Sequence, residues 1–83
     1  MYYAYIIVGE NLRYFVEPDV AVFNTEQERD EWISEEPEER TAISKADVVE
    51  LLGDDFSLYD EDGFVWAEKK GTKHIDGMVF VPA

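Results

Sequence analysis

The stretch Tyr59-Asp60-Glu61-Asp62-Gly63-Phe64 sets three acids and a glycine between two aromatics, and these are the residue types of a calcium loop. An EF-hand loop takes oxygen ligands at its first, third and fifth positions, glycine at its sixth and a bidentate glutamate at its twelfth. With Gly63 in the sixth place, Asp60 and Asp62 fall on the third and fifth. Leu58 then stands first and Lys69 twelfth, so the first ligand and the bidentate ligand are both lost. Asp60-Glu61-Asp62-Gly63 instead suits a type I turn closed by a left-handed glycine, the tip of a β-hairpin with a bulge. That turn pairs Asp60 with Phe64, Leu58 with Trp66 and Phe56 with Glu68. Phe56, Leu58, Phe64 and Trp66 then share a core face, and Tyr59 and Val65 point the other way. A weak hold on a divalent cation becomes an accident of the turn, and no metal site is assigned.

Acid–base or nucleophilic chemistry finds few residues elsewhere. His74 is the only histidine and there is no cysteine, so a Cys–His pair, a thiolate metal site and a disulfide framework are all excluded. His74 follows a basic turn and reads as an exposed or strand-edge side chain. Ser34, Ser44 and Ser57 have local explanations. Paired-carboxylate catalysis needs one acid in an apolar pocket, and Asp76, between Ile75 and Gly77, is the best-placed candidate. The five glycines are scattered and make neither GxGxxG nor GxxxxGK[ST], the patterns that cradle phosphate. The expectation is a non-enzyme with no catalytic residue and no cofactor.

What remains is charge. Twenty acids face seven bases, a net −13 on 83 residues. Such a field repels nucleic acid and anionic lipid, whose phosphates need Lys and Arg. It favours a basic protein partner, divalent cations or plain solubility. The N-terminal tyrosines could stack bases, but Lys69, Lys70 and Lys73 are too few to reverse the field. The acids cluster at Glu26, Glu28, Asp30, Glu31, Glu35, Glu36, Glu38 and Glu39, and again at Asp60, Glu61 and Asp62 with Asp54 and Asp55 nearby. Carboxylates held a few ångströms apart on a rigid scaffold imitate a phosphate backbone and can fill a nucleic-acid-binding groove on another protein. Small acidic inhibitors from phages and mobile elements act this way. The likeness here is one of size and charge, and no residue motif carries it. The competing reading is a solvated acidic face that serves solubility alone.

The elements that must position these acids are legible in part. Tyr2 to Val8 is apolar on both alternating faces, which suits a central strand covered on both sides or one with an interaction surface on its second face. Gly9-Glu10-Asn11 turns the chain into a second strand at Arg13–Val16, Glu17-Pro18-Asp19 breaks it, and Val20–Phe23 forms a third. Thr25 and Glu28 have capping-box spacing, so a helix is predicted over 26–35, stopped because Pro37 disfavours helical geometry before it. Its only large apolar residues are Trp32 and Ile33, a narrow stripe. After an acidic connector at 35–39, Ser44 and Asp47 form a second capping box, with Ile43 and Val48 as its hydrophobic staple. That helix presents Val48, Val49, Leu51 and Leu52, and Gly53 is placed to end it left-handed. Phe56–Tyr59 and Phe64–Ala67 flank the hairpin, Lys69–Lys73 is a polar turn, and Met78–Val81 is a last strand before Pro82.

The order βββ-α-α-βββ predicts one α+β domain over 1–83, an antiparallel sheet of about five to six strands with two short helices on one face. The apolar share of 46 %, with 14 % aromatic, is enough for a core and too aromatic for a disordered acidic tail. The N-terminal apolar run has no basic leader before it and about half the length of a membrane span, which points to a cytoplasmic protein off the membrane. The functional expectation is an acidic protein-binding domain that makes no direct contact with nucleic acid. Its contact surface is Glu26–Glu39 and the hairpin acids, and its specific form is a nucleic-acid mimic. A second expectation is a homo-oligomer joined through the aromatic strand Tyr2–Val8 or the Phe80 edge.

Overall fold

The computed structural model describes residues 1–6, 20–61 and 63–82. The predicted turn at 9–11, the strand at 13–16 and the break at 17–19 lie outside the described residues. So do Ile7, Val8 and Asp62.

Among the described residues the chain forms β1 (Tyr2–Ile6), β2 (Val20–Phe23), α1 (Glu26–Glu35), β3 (Arg40–Ile43), α2 (Lys45–Leu52), β4 (Ser57–Glu61), β5 (Phe64–Glu68), β6 (Lys73–Ile75) and β7 (Met78–Phe80). Five strands make an antiparallel sheet in the order β3-β1-β2-β5-β4, and β6 and β7 pair as a separate two-stranded sheet. The α+β class and the antiparallel sheet are as predicted.

Both helices start at the predicted cap residues, α1 with half of the predicted box and α2 with the whole of it. The Thr25 hydroxyl accepts from the Glu28 N–H at 3.1 Å and donates to the Glu28 carboxylate at 3.2 Å. α1 runs over the predicted span and ends where Glu36 leaves helical geometry, its N–H still bonded to the Ile33 carbonyl. The Ser44 box closes in both directions, Asp47 N–H to Ser44 Oγ at 3.1 Å and Ser44 N–H to Asp47 Oδ2 at 3.0 Å. Ile43 packs against the cluster that holds Val48, as the staple requires. Gly53 ends α2 at φ 98°, ψ 157°, a positive φ but not the left-handed helical cap predicted. Replacing Ser44 by alanine should cost about 1 kcal/mol, the usual worth of such a cap; a urea midpoint unchanged from wild type would show that the box does not hold the helix.

The predicted arrangement of the helices is corrected. Neighbouring residues of a strand point to opposite faces, and each face of β1 meets a different helix. Tyr3 packs with Val20, Val22, Ala67 and the α2 residues Val48 and Leu52. Ala4 packs with Ala21 and the α1 residue Trp32. The helices therefore lie on opposite faces, and the sheet has a core on each side. β1 is an interior strand of the sheet, paired with β3 and β2 and covered on both sides, with Tyr3 6 % and Ala4 0 % exposed. This is the first of the two sequence readings, for residues 2–6.

The acidic connector is the turn at 36–39, and a strand that the predicted order lacks follows it before α2. After the turn at 36–39, closed by Arg40 N–H to Glu36 O at 3.1 Å, β3 pairs with β1 from Ile6↔Arg40 to Tyr3↔Ile43. Arg-Thr-Ala-Ile shows no apolar alternation to mark a strand, and pairing with β1 gives its backbone groups their partners.

The hairpin register is corrected too. Glu61 pairs with Phe64, Tyr59 with Trp66 and Leu58 with Ala67, so the loop holds two residues rather than a bulged three. Gly63 has φ 82°, the positive φ that tight hairpin loops ask of their glycine. A shift of one residue reverses a strand's faces. Phe56 accordingly joins the α2-side core, edge-on to Tyr3 at 6.2 Å between ring centroids. Phe64 and Trp66 face Trp32 on the α1 side, at 6.4 and 6.1 Å. Tyr59, opposite Trp66, lies on the α1 side as well.

Candidate functional site

α1 is held to the sheet by very little, and that little is well placed. Trp32 is buried under its centre against Phe23, Phe64 and Trp66, with Ile33 half-buried beside it. Arg40, opposite Ile6 on β3, lays its guanidinium over the Trp32 ring at 3.9 Å and donates from Nη1 to the Trp32 carbonyl. The same nitrogen reaches Glu35 Oε1 at 3.5 Å. Arg29 lies over the Tyr2 ring at 5.6 Å and bonds Glu26 at 3.4 Å and Asp30 at 3.0 Å. Two arginines thus lie between the acidic helix and the aromatics beneath it. A guanidinium suits this position, because it stacks on rings and forks to carboxylates at once.

With those cations used, the rest of the acids face water. Glu26, Glu28, Asp30, Glu31, Glu35, Glu36, Glu38 and Glu39 are all exposed. Glu26, Asp30 and Glu35 have arginine partners. Glu28 and Glu31 take neutral hydrogen bonds from Thr25 and Gln27. Glu28, Glu31, Glu36, Glu38 and Glu39 form no ion pair among the described residues. The Ser34 hydroxyl donates to the Glu31 carbonyl at 2.7 Å, a helix bond and not a nucleophile's setting.

The second acidic cluster is divided. Glu61 is opposite Phe64 and Asp60 is opposite Val65, so Glu61 lies on the α1 side of the sheet and Asp60 on the α2 side. Asp62 lies outside the described residues. The Phe64–Trp32 contact ties this end of the hairpin to α1, bringing Glu61 to the side that carries the helix acids. Among the described residues no group of three or more His, Cys, Asp or Glu side chains is gathered closely enough to hold a metal ion.

Of the two readings of His74, strand-edge holds and exposed does not: it lies on β6 of the two-stranded sheet. Its side chain is 25 % exposed, its ring lies flat on Tyr59 at 3.7 Å and 2°, and its Nε2 is 2.6 Å from Glu68 Oε2. Glu68 is opposite Ser57 and shares the face of Tyr59, so β6 leans on the α1 side of the sheet at its β4–β5 end. Nothing in the local sequence marks this trio. Only the hairpin register brings Tyr59 and Glu68 onto one face.

Asp76 finds no apolar pocket. It is exposed, at φ 51°, and with Gly77 at φ 79° makes the turn between β6 and β7, another Asp-Gly loop of the kind that suits paired strands. No described helix is long and apolar enough to cross a membrane. No protein-family model, curated protein or solved structure matches this chain.

Proposed function

We propose that this chain is a non-enzymatic binding module that offers the outer face of α1 and its exit to a basic protein. One observation carries the reading. Five carboxylates, those of Glu28, Glu31, Glu36, Glu38 and Glu39, stay exposed and without an ion pair among the described residues, on a helix and turn locked from below by Trp32 and Arg40. Such charges keep their field for a partner, and a fixed scaffold spares the partner the cost of ordering them. The specific form is a nucleic-acid mimic: carboxylates stand where phosphates would, in the groove of a nucleic-acid-binding protein. The cytoplasm is the compartment proposed, and a phage or other mobile element the setting in which such an inhibitor acts. Self-association is the other reading. It moves away from β1, which is covered on both faces, to the hairpin edge where Ile75, Val79 and Phe80 are 51, 47 and 48 % exposed.

Immobilised protein should retain a basic nucleic-acid-binding protein at about 50 mM salt and release it by about 500 mM, since exposed charges are screened within about 10 Å or less. Short duplex DNA should displace the same protein at low salt. Glutamine at positions 28, 31, 36, 38 and 39 together should abolish capture while leaving the circular dichroism spectrum intact. Capture unchanged in that variant, or none at low salt, would sink the proposal. Displacement by salt but not by DNA would remove the mimic and leave the basic partner. Salt-insensitive dimers in light scattering would favour the hairpin interface.

A further inference from the structure

β6 and β7 form a sheet of their own, and a lone two-stranded hairpin is marginal in water. Its own burial is slight, for Ile75, Val79 and Phe80 are each about half exposed. The hairpin therefore depends on its attachment to the larger sheet, and His74 makes two of the contacts that attach it. The imidazole lies flat on Tyr59 of β4 at 3.7 Å, and Nε2 meets the Glu68 carboxylate of β5 at 2.6 Å. One side chain from β6 thus grips two strands, by a ring face and by a hydrogen bond to a charged group, which is among the stronger kinds. The segment leading into it is a tight turn. Thr72 returns its N–H and its hydroxyl to the Lys69 carbonyl at 3.1 and 2.7 Å, and Gly71 has φ 92°.

We propose that residues 73–80 are a flap, hinged at the Lys69–Thr72 turn and latched by His74 on Tyr59 and Glu68, which opens as a unit while the five-stranded sheet stays folded. Opening uncovers the face of Tyr59 beside Trp66 on the side of the sheet that carries α1. The flap is a conformational device independent of what the acidic helix binds, and it stands or falls separately from that reading.

Amide exchange on the intact protein tests it. The amides of 73–75 and 78–80 should exchange through an opening that leaves β1 and β2 protected, since sub-global units open below the global free energy. In His74→Ala they should exchange about tenfold faster or more, the effect of losing one hydrogen bond to a charged group, with β1 and β2 unchanged. His74→Phe keeps a ring for Tyr59 and loses the bond to Glu68, and should fall between alanine and wild type. The ring protons of His74 should also be shifted upfield by Tyr59, and Tyr59→Leu should abolish the shift. Equal acceleration of β1 and β2 would make the hairpin part of the global unit and overturn the flap. Unchanged hairpin exchange in His74→Ala, or a wild-type His74 with no upfield shift, would overturn the latch.

Discussion

Replacing Trp32 by alanine should lower the stability of this protein by about 3–5 kcal/mol, the range for deleting a buried tryptophan. The residue is 7 % exposed and meets three aromatic rings, those of Phe23, Phe64 and Trp66. Its ring is also the floor on which the Arg40 guanidinium rests. α1 has no other buried side chain among its ten residues, so the cavity is not the whole effect. Without Trp32 the helix keeps only half-buried Ile33 on the sheet, and short helices owe most of their stability to such packing. Far-UV circular dichroism should therefore lose α1 at denaturant concentrations where the sheet persists. A urea-derived loss below about 1 kcal/mol would mean that α1 is held elsewhere. Trp66→Ala should cost less, because that ring is half-buried.

The same residue shows how far the sequence could be read. α1 was legible because its signals are local: a threonine cap, a glutamate three residues on, and a proline just beyond the end. α2 was legible for the same reason. β3 was not, since Arg-Thr-Ala-Ile, though half β-branched, has no apolar alternation and is only four residues long. It is a strand because β1 has an open edge beside it. The two-sided apolar pattern of Tyr2–Ile6 said that both faces of β1 are covered, but it could not assign a helix to each. That assignment turned on the hairpin register, and the choice between a two- and a three-residue loop in Asp60–Gly63 reversed which aromatics face together. The three-residue loop puts Phe56, Leu58, Phe64 and Trp66 on one face. With a core on each side they separate, and Trp32, seen at first as part of a narrow stripe, becomes the centre of one core.

The candidate site divides along the same line. The acids of α1 can be counted in the sequence, and their exposure follows from a helix with so little apolar surface. Which of them stay unpaired could not be counted, because that depends on the carboxylates Arg29 and Arg40 reach. Which carboxylates those arginines reach is decided by the placing of α1 over Tyr2 and β3. Asp60 and Glu61 are adjacent in sequence and lie on opposite sides of the sheet. Proximity along a strand is therefore poor warrant for a shared surface, whereas spacing along a helix is good warrant. The His74 latch lies at the far limit of legibility, since it needs the register of one hairpin and the docking of another.

Two cores on opposite faces should also behave as separate contributors to stability. Leu52, 2 % exposed at the end of α2, packs with Tyr3, Val20, Val22, Val48 and Ala67. None of these belongs to the buried cluster around Trp32, which is Ala4 and Ala21. Leu52→Ala should cost about 2–5 kcal/mol. Together with Trp32→Ala the loss should reach about 5–10 kcal/mol, comparable with the whole stability of a chain this long, about 4–12 kcal/mol. The double variant should be unfolded in plain buffer although each single variant folds. In sulfate or trimethylamine oxide, which strengthen burial, it should refold, and the two losses should then add within about 0.5 kcal/mol, as they do for sites without shared partners. A coupling above about 1 kcal/mol would show that the sheet transmits packing from one face to the other through adjacent residues such as Tyr3 and Ala4. Independence would instead leave α2 and its core intact when α1 is strained by a partner, so that the acidic helix could adjust to what it binds without loosening the rest of the fold.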